Sequence, residues 1–200
     1  MKQKYLPEGQ KFELLENRTP YYSRAALNRA MQSGEILEGI AGMCDESYCL
    51  TVDLGCMPGK IARSDVTCDP KGREKEIAII TRVGKAVCFC VTGFETDTYG
   101  KEFARLSRRC AQSACRDEYL FYLTPGDVIP ARVTHLEPFG AFVDVGCGYV
   151  ALMTIDCVSV SRISHPRERF VAGMPLNVVV KSIDRETGRI YVPSSSLCVT

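Results

Sequence analysis

The sequence predicts an all-β chain of two small barrels in tandem, with a short helix before them and a helical linker between them. Three observations carry this. An internal repeat allows residues 34 onward to be laid over residues 126 onward. Both blocks consist of short runs rich in Val, Ile, Tyr and Phe, punctuated by Gly, Pro and Asp, the pattern of strands and tight turns. The chain has 200 residues, 46% of them hydrophobic, which is enough apolar material for two cores of ordinary domain size.

Residues 1–33 form an arm and a helix, and the first twenty have no clear periodicity and are expected to be loosely held. Ser23 is a natural N-cap, Arg24 to Ser33 have helical composition, and Gly34 is a stop. The first barrel spans 34–106, the linker 107–123 and the second barrel 124–200. The opening strands begin at Gly34 and Gly126. Tyr48 to Cys56 lies over Phe139 to Cys147, sharing an aromatic residue and then Val-Asp-aliphatic-Gly-Cys. Lys60 to Val66 lies over Ala151 to Cys157, and Val83 to Val91 over Ala172 to Val180. Asp97 to Gly100 and Asp184 to Gly188 are acid-to-glycine turns into a final strand. Each copy therefore offers about five strands, with one longer excursion between the third and fourth, the outline of a five-stranded OB-type Greek-key barrel. Ser107 to Tyr122 has helical composition and stops at Pro125-Gly126.

The order Gly126-Asp-Val-Ile, Phe139-Gly-Ala-Phe-Val-Asp144, Gly146-Cys-Gly148 and Ile183-Asp-Arg-Glu-Thr-Gly-Arg-Ile190 closely resembles the RNA-binding domain family named after ribosomal protein S-one. The first copy looks like a divergent member through the repeat. The resemblance implies a barrel face that binds single-stranded RNA with little base specificity, by stacking bases on rings and meeting phosphates with cations. It implies Phe139, Phe142, Asp184 and Arg189 as site residues, with Thr154 at the position where the family has a histidine. A hydroxyl there can donate a hydrogen bond but cannot stack.

The competing use of Phe139 and Phe142 is core packing. Residues three apart on a plain strand point to opposite faces, so a shared surface requires the turn at Pro138 to Gly140 to reorient one ring. Arg162, His165, Arg167 and Arg169, with Glu168 among them, lie on the long excursion of the second copy. They are either phosphate contacts or solvated loop charges. His135 reads as a structural or rim residue. The first copy keeps Tyr48 opposite Phe139 but has Thr51 opposite Phe142 and Arg63 opposite Thr154, a depleted stacking platform. This suits a scaffold or protein-contact module, whose basic end at Lys101, Arg105, Arg108 and Arg109 offers an RNA strand a guide.

A net charge of +1 excludes coating of nucleic acid by bulk charge, so any polyanion site must be local. No apolar run approaches the ~20 residues that cross a bilayer, and the N-terminus lacks a signal-peptide stretch, so a cytoplasmic protein is expected. The eleven cysteines are odd in number and contain no Cys-x-x-Cys, and there are only two histidines. Reduced cysteines packed as small hydrophobes, with no metal and no cofactor, are the expectation. Gly55 to Lys60 is a residue short of a phosphate-cradling loop, and there is no nucleophile motif, so no enzymatic activity is expected. Single-stranded RNA is the expected partner, with the ribosome or another RNA–protein complex as its setting. The alternative is a protein-interaction adaptor in which RNA contact is incidental.

Overall fold

The computed structural model describes residues 4–68, 76–154, 167, 169–184 and 189–192, and the side chains of 154, 184 and 189–192 lie outside that description. The chain divides into two compact units, Glu8–Ser113 and Ala114–Thr200 together with Met1–Pro7.

In the first unit, α1 (Leu15–Arg18) leads to α2 (Arg24–Ser33). Ser23 caps α2, its hydroxyl accepting the Ala26 amide at 3.1 Å, and Gly34 ends it at φ 63°, as the cap and stop residues predict. Five strands follow: β1 (Ile36–Cys44), β2 (Leu50–Asp53), β3 (Pro58–Ile61), β4 (Ala86–Thr96) and β5 (Glu102–Ser107). They pair in the order β1-β2-β3-β5-β4, and β4 returns to β1 to close a barrel. Leu37, Leu50, Val52, Ile61, Phe89, Ala104 and Leu106 fill the interior. Gly59 is required by close strand approach, because a Cβ there would lie 2.4 Å from Leu106 Cδ1. The apolar run at Glu76–Ile80 forms α3, which buries Ile79 and leaves Ile77 and Ile80 exposed.

The N-terminal segment of this unit is not the loose arm that its lack of periodicity suggests. Glu8 is buried and bonds Arg108 at 2.6 and 3.0 Å through Nε and Nη2, and it accepts the Cys88 amide at 3.1 Å. Buried Glu38 accepts the amides of Gly9 and Lys11, while Asn17 bonds the Glu38 backbone in both directions at 2.6 and 2.7 Å. Arg108 is fully buried, so it leaves the basic end assigned to it and becomes an internal ion pair. Burial pushes the Glu8 carboxyl up, but the Arg108 charge and hydrogen bonds, with Arg82 and the Cys88 amide, pull it further down, below its ordinary range. For Glu38 burial outweighs its amide donors, and its carboxyl is raised.

The second unit holds β6 (Val128–Glu137), β7 (Gly140–Asp144), β8 (Val150–Thr154), β9 (Pro175–Val179), β10 (Ser182–Asp184) and β11 (Arg189–Val192). Among the described residues, six strands stand where five were expected. The sheet order is β10-β11-β8-β7-β6-β9. The difference is β10, which lies beyond Val180, where the fourth expected strand ends: β9 pairs with β6, and β10 pairs with β11. Within the segment read as a helical linker, residues 108–118 form α4 (Arg108–Glu118). Residues 4–7 are tied to this unit. Tyr5 stacks on Tyr119 with centroids 5.8 Å apart and donates its hydroxyl to Glu118, and the Cys147 amide donates to the Leu6 carbonyl at 2.9 Å. Cys88, Cys90, Cys115 and Cys147 are buried as free thiols, in keeping with a packing role. No described helix is long and apolar enough to cross a membrane.

Breaking one side of a buried ion pair leaves an uncompensated charge, so Arg108→Ala should cost the first unit about 3–5 kcal/mol in urea unfolding. Glu8→Gln/Arg108→Met should cost less. Because the Glu8 pKa is lowered in the folded state, its contribution is present above the ordinary carboxylate range and is lost as pH falls through the folded value. Acid titration of stability should show this loss in the native protein and not in the double variant.

Candidate nucleic-acid interface

A strand exposes alternate residues, and β6 begins by that rule, with Ile129, Ala131 and Val133 buried. Continued, the alternation would send His135 inward. Instead the register shifts between Val133 and His135, so that Val133 faces Val143 and His135 faces Phe142. This bulge leaves Thr134 and His135 both exposed and returns Leu136 to the interior. The Thr134 hydroxyl donates to the Phe142 carbonyl at 3.1 Å and bridges the gap in the ladder.

Three rings gather on the outer side of β6 and β7. Phe142 is half-buried between the buried side chains of Ala141 and Val143, and the His135 ring stacks on it with centroids 6.3 Å apart and planes at 29°. Phe139 occupies the two-residue turn between the paired residues Glu137 and Gly140 and is 54% exposed. The turn redirects its ring, so that Phe139 meets Phe142 edge-on at 6.1 Å and 88°. Core packing does not account for an aromatic ring exposed to that extent at a turn. His135 Nε2 lies 2.6 Å from Glu137 Oε1, which orients the imidazole on the surface.

The far end of β7 is held by Asp144. Its buried carboxylate accepts the amides of Gly146 at 2.8 Å and Gly148 at 3.0 Å, across a turn in which Cys147 takes a left-handed φ of 49°. Asp53 does the same in the first unit, accepting the Gly55 amide at 2.8 Å. The repeated Asp-aliphatic-Gly-Cys thus has a physical cause, an aspartate turn that fixes the β-hairpin beside each outer face.

The other site residues named from the sequence fall into three groups. The backbones of Thr154, Asp184 and Arg189 are placed: Thr154 pairs with Gly140, and Asp184 with Arg189, at the β10–β11 end of the same sheet. Arg167 and Arg169 are exposed, whereas Arg162 and His165 lie outside the described residues. Tyr48 belongs to the first unit, at a left-handed φ of 59° with its ring 5.0 Å from Arg63 Cζ. His135, read from the sequence as a structural or rim residue, stands beside Phe142, where strand alternation alone gives it no place.

Residues 122–192 match the family model described as the S1 RNA binding domain, so the resemblance read from the second copy holds. Small ribosomal subunit protein bS1 of Staphylococcus aureus strain COL is 38% identical over 89 residues, 42% of this chain and 22% of that protein. Its counterpart from Leuconostoc lactis is 28% identical over 165 residues, 82% of this chain and 37% of that protein. The matches thus span well under half the length of these relatives. Among solved structures, GSP13 from Bacillus subtilis is 28% identical over 36% of this chain and 55% of that one, with a TM-score of 0.34.

Asp144→Ala removes a charged acceptor from a buried amide and a part-buried one, and such bonds are worth about 1.5–3 kcal/mol each. The second unit should lose stability on that scale in thermal or urea unfolding, and Asp53→Ala, at an exposed turn, should lose less.

Proposed function

We propose that the chain binds single-stranded RNA, without catalysis and with little base specificity, on the outer face of the second unit. The observation that supports this best is the exposed cluster of Phe139, Phe142 and His135 on a domain that matches the S1 RNA binding domain. Rings that are already clustered and partly exposed offer bases a stacking surface at small reorganisation cost, and every base has a face to stack. In this reading Phe139 and Phe142 stack bases. His135, reaching Phe142 from the neighbouring strand, supplies the third ring where position 154 carries only a hydroxyl. Asp184, Arg189, Arg167 and Arg169 are assigned to the phosphates and sugars of the RNA, as are Arg162 and His165, which lie outside the described residues.

The first unit is read as a divergent OB-type barrel of the same kind. Its support is the strand order, a bulge at the matching place in the opening strand, between Ala41 and Cys44, and the shared aspartate turn. Because the curated relatives are named as small ribosomal subunit proteins, translation in the cytoplasm is the proposed setting, with the ribosome as a proposed partner. The adaptor alternative draws on the first unit, where Met43 is 71% and Ile77 67% exposed.

Fluorescence anisotropy with labelled single-stranded RNA tests the platform. Phe139→Ala/Phe142→Ala should weaken binding by about 1–3 kcal/mol for each base that no longer stacks, and His135→Ala by less, with circular dichroism unchanged. Native affinity in the double phenylalanine variant would overturn the stacking reading.

A further inference from the structure

The bulge in β6 brings a titratable ring to a platform that is otherwise without one. The His135 side chain is 61% exposed, and its ring lies on Phe142 with centroids 6.3 Å apart. Phe139 and Phe142 carry no charge at any pH, and Leu152, across from Phe142 on β8, is aliphatic. An imidazole ordinarily titrates between about pH 5 and 8, so His135 is the member of the cluster whose charge changes under mild conditions.

The groups around the imidazole decide what that change does. On β6, His135 Nε2 lies 2.6 Å from Glu137 Oε1, and the Thr134 hydroxyl is already given to the Phe142 carbonyl. The strand opposite presents Phe142, and the turn presents Pro138 and Phe139, none of them charged. Arg132 and Asp144, the next charged residues along these two strands, are held elsewhere: Arg132 on the Gly173 carbonyl at 3.0 Å, Asp144 on the amides of Gly146 and Gly148. Among the described residues, Glu137 is therefore the charged group bonded to His135. With a neutral imidazole this corner of the platform carries one negative charge, and with an imidazolium it carries none. A carboxylate beside stacked bases repels the phosphates that join them, and pairing it with a cation removes that repulsion.

We propose that RNA binding on the second unit is coupled to proton uptake at His135, with Glu137 as its counter-charge. The inference rests on the RNA reading above and adds a condition to it: the platform binds more tightly as pH falls. A neutral imidazole that donates Nε2–H to Glu137 has only an acceptor at Nδ1, which faces a phosphate oxygen unfavourably. Protonation turns Nδ1 into a donor while Nε2–H stays on the carboxylate, so one proton both offsets Glu137 and creates a hydrogen bond for the ligand. The coupling is reciprocal, since a polyanion that prefers the imidazolium also draws the proton onto the ring. Stacking on Phe139 and Phe142 needs no proton, and that part of the affinity is independent of pH.

The test is anisotropy binding of fluorescein-labelled oligouridine at fixed salt between about pH 8 and 5.5, a range in which uracil takes up no proton and an imidazole does. Circular dichroism at each pH separates changes of affinity from changes of fold. The native chain should bind roughly fivefold more tightly at the acid end, and its slope of log affinity against log salt should steepen there by about 0.7, as for one added phosphate contact. His135→Phe keeps a ring against Phe142 but has no nitrogen, and its affinity should stay level across the range. Glu137→Gln should bind more tightly than the native chain at the alkaline end. His165→Gln, at the other histidine of the chain, should keep the native response. A level native profile, a native response in His135→Phe, or its loss in His165→Gln would each overturn the coupling and leave the RNA reading intact. Absence of oligouridine binding at every pH would overturn the RNA reading and the coupling with it.

Discussion

One extra residue in the opening strand of each unit governs what each sheet displays. Strand geometry allows only two faces, and a strand that kept strict alternation would turn His135 inward with Val133. The bulge resets the count. It keeps Leu136 inside, brings His135 across from Phe142, and increases the local twist that a small curved sheet needs. In the first unit the shift between Ala41 and Cys44 places Met43 beside Thr51, whose hydroxyl accepts the Met43 amide at 2.9 Å. Interior packing and surface chemistry are therefore set by the same defect in the ladder.

Around that constraint the two units distribute charge differently. The first unit buries one ion pair and a second carboxylate in its interior, where Glu8, Arg108 and Glu38 fasten residues 8–17 to the barrel wall. A pair this deep is expensive to create and more expensive to break on one side, so it specifies the path of the segment more than it adds stability. The cations left on the outer face rest on rings and in exposed pairs, which contribute little to stability. The second unit keeps an aromatic outer cluster, with a buried aspartate turn at the far end of the same strand. A chain with net charge near zero thus carries its exposed cations in local groups without being basic overall.

Much was legible in the sequence because it depends on local rules. Ser23 and Gly34 bracketed the helix, and the shared Asp-aliphatic-Gly-Cys marked turns whose hydrogen bonds lie within five residues. Phe139 and Phe142 were legible as neighbours once a redirecting turn was required of Pro138 to Gly140. What the sequence by itself determined is therefore the strand-and-turn grammar, the resemblance of the second copy and the candidate rings.

Tertiary structure decided the rest, because it depends on partners far apart in the chain. Arg108 reads as a surface cation until Glu8, a hundred residues earlier, is seen to neutralise it in the interior. The first residues show no periodicity because they are held by side-chain to backbone bonds, which leave no repeating pattern. The separate β10 beyond Val180 depends on which strand claims it, and the place of His135 on a bulge that no residue type announces. Local sequence fixes the conformations that are possible, and only closure of the sheets selects which side chains meet.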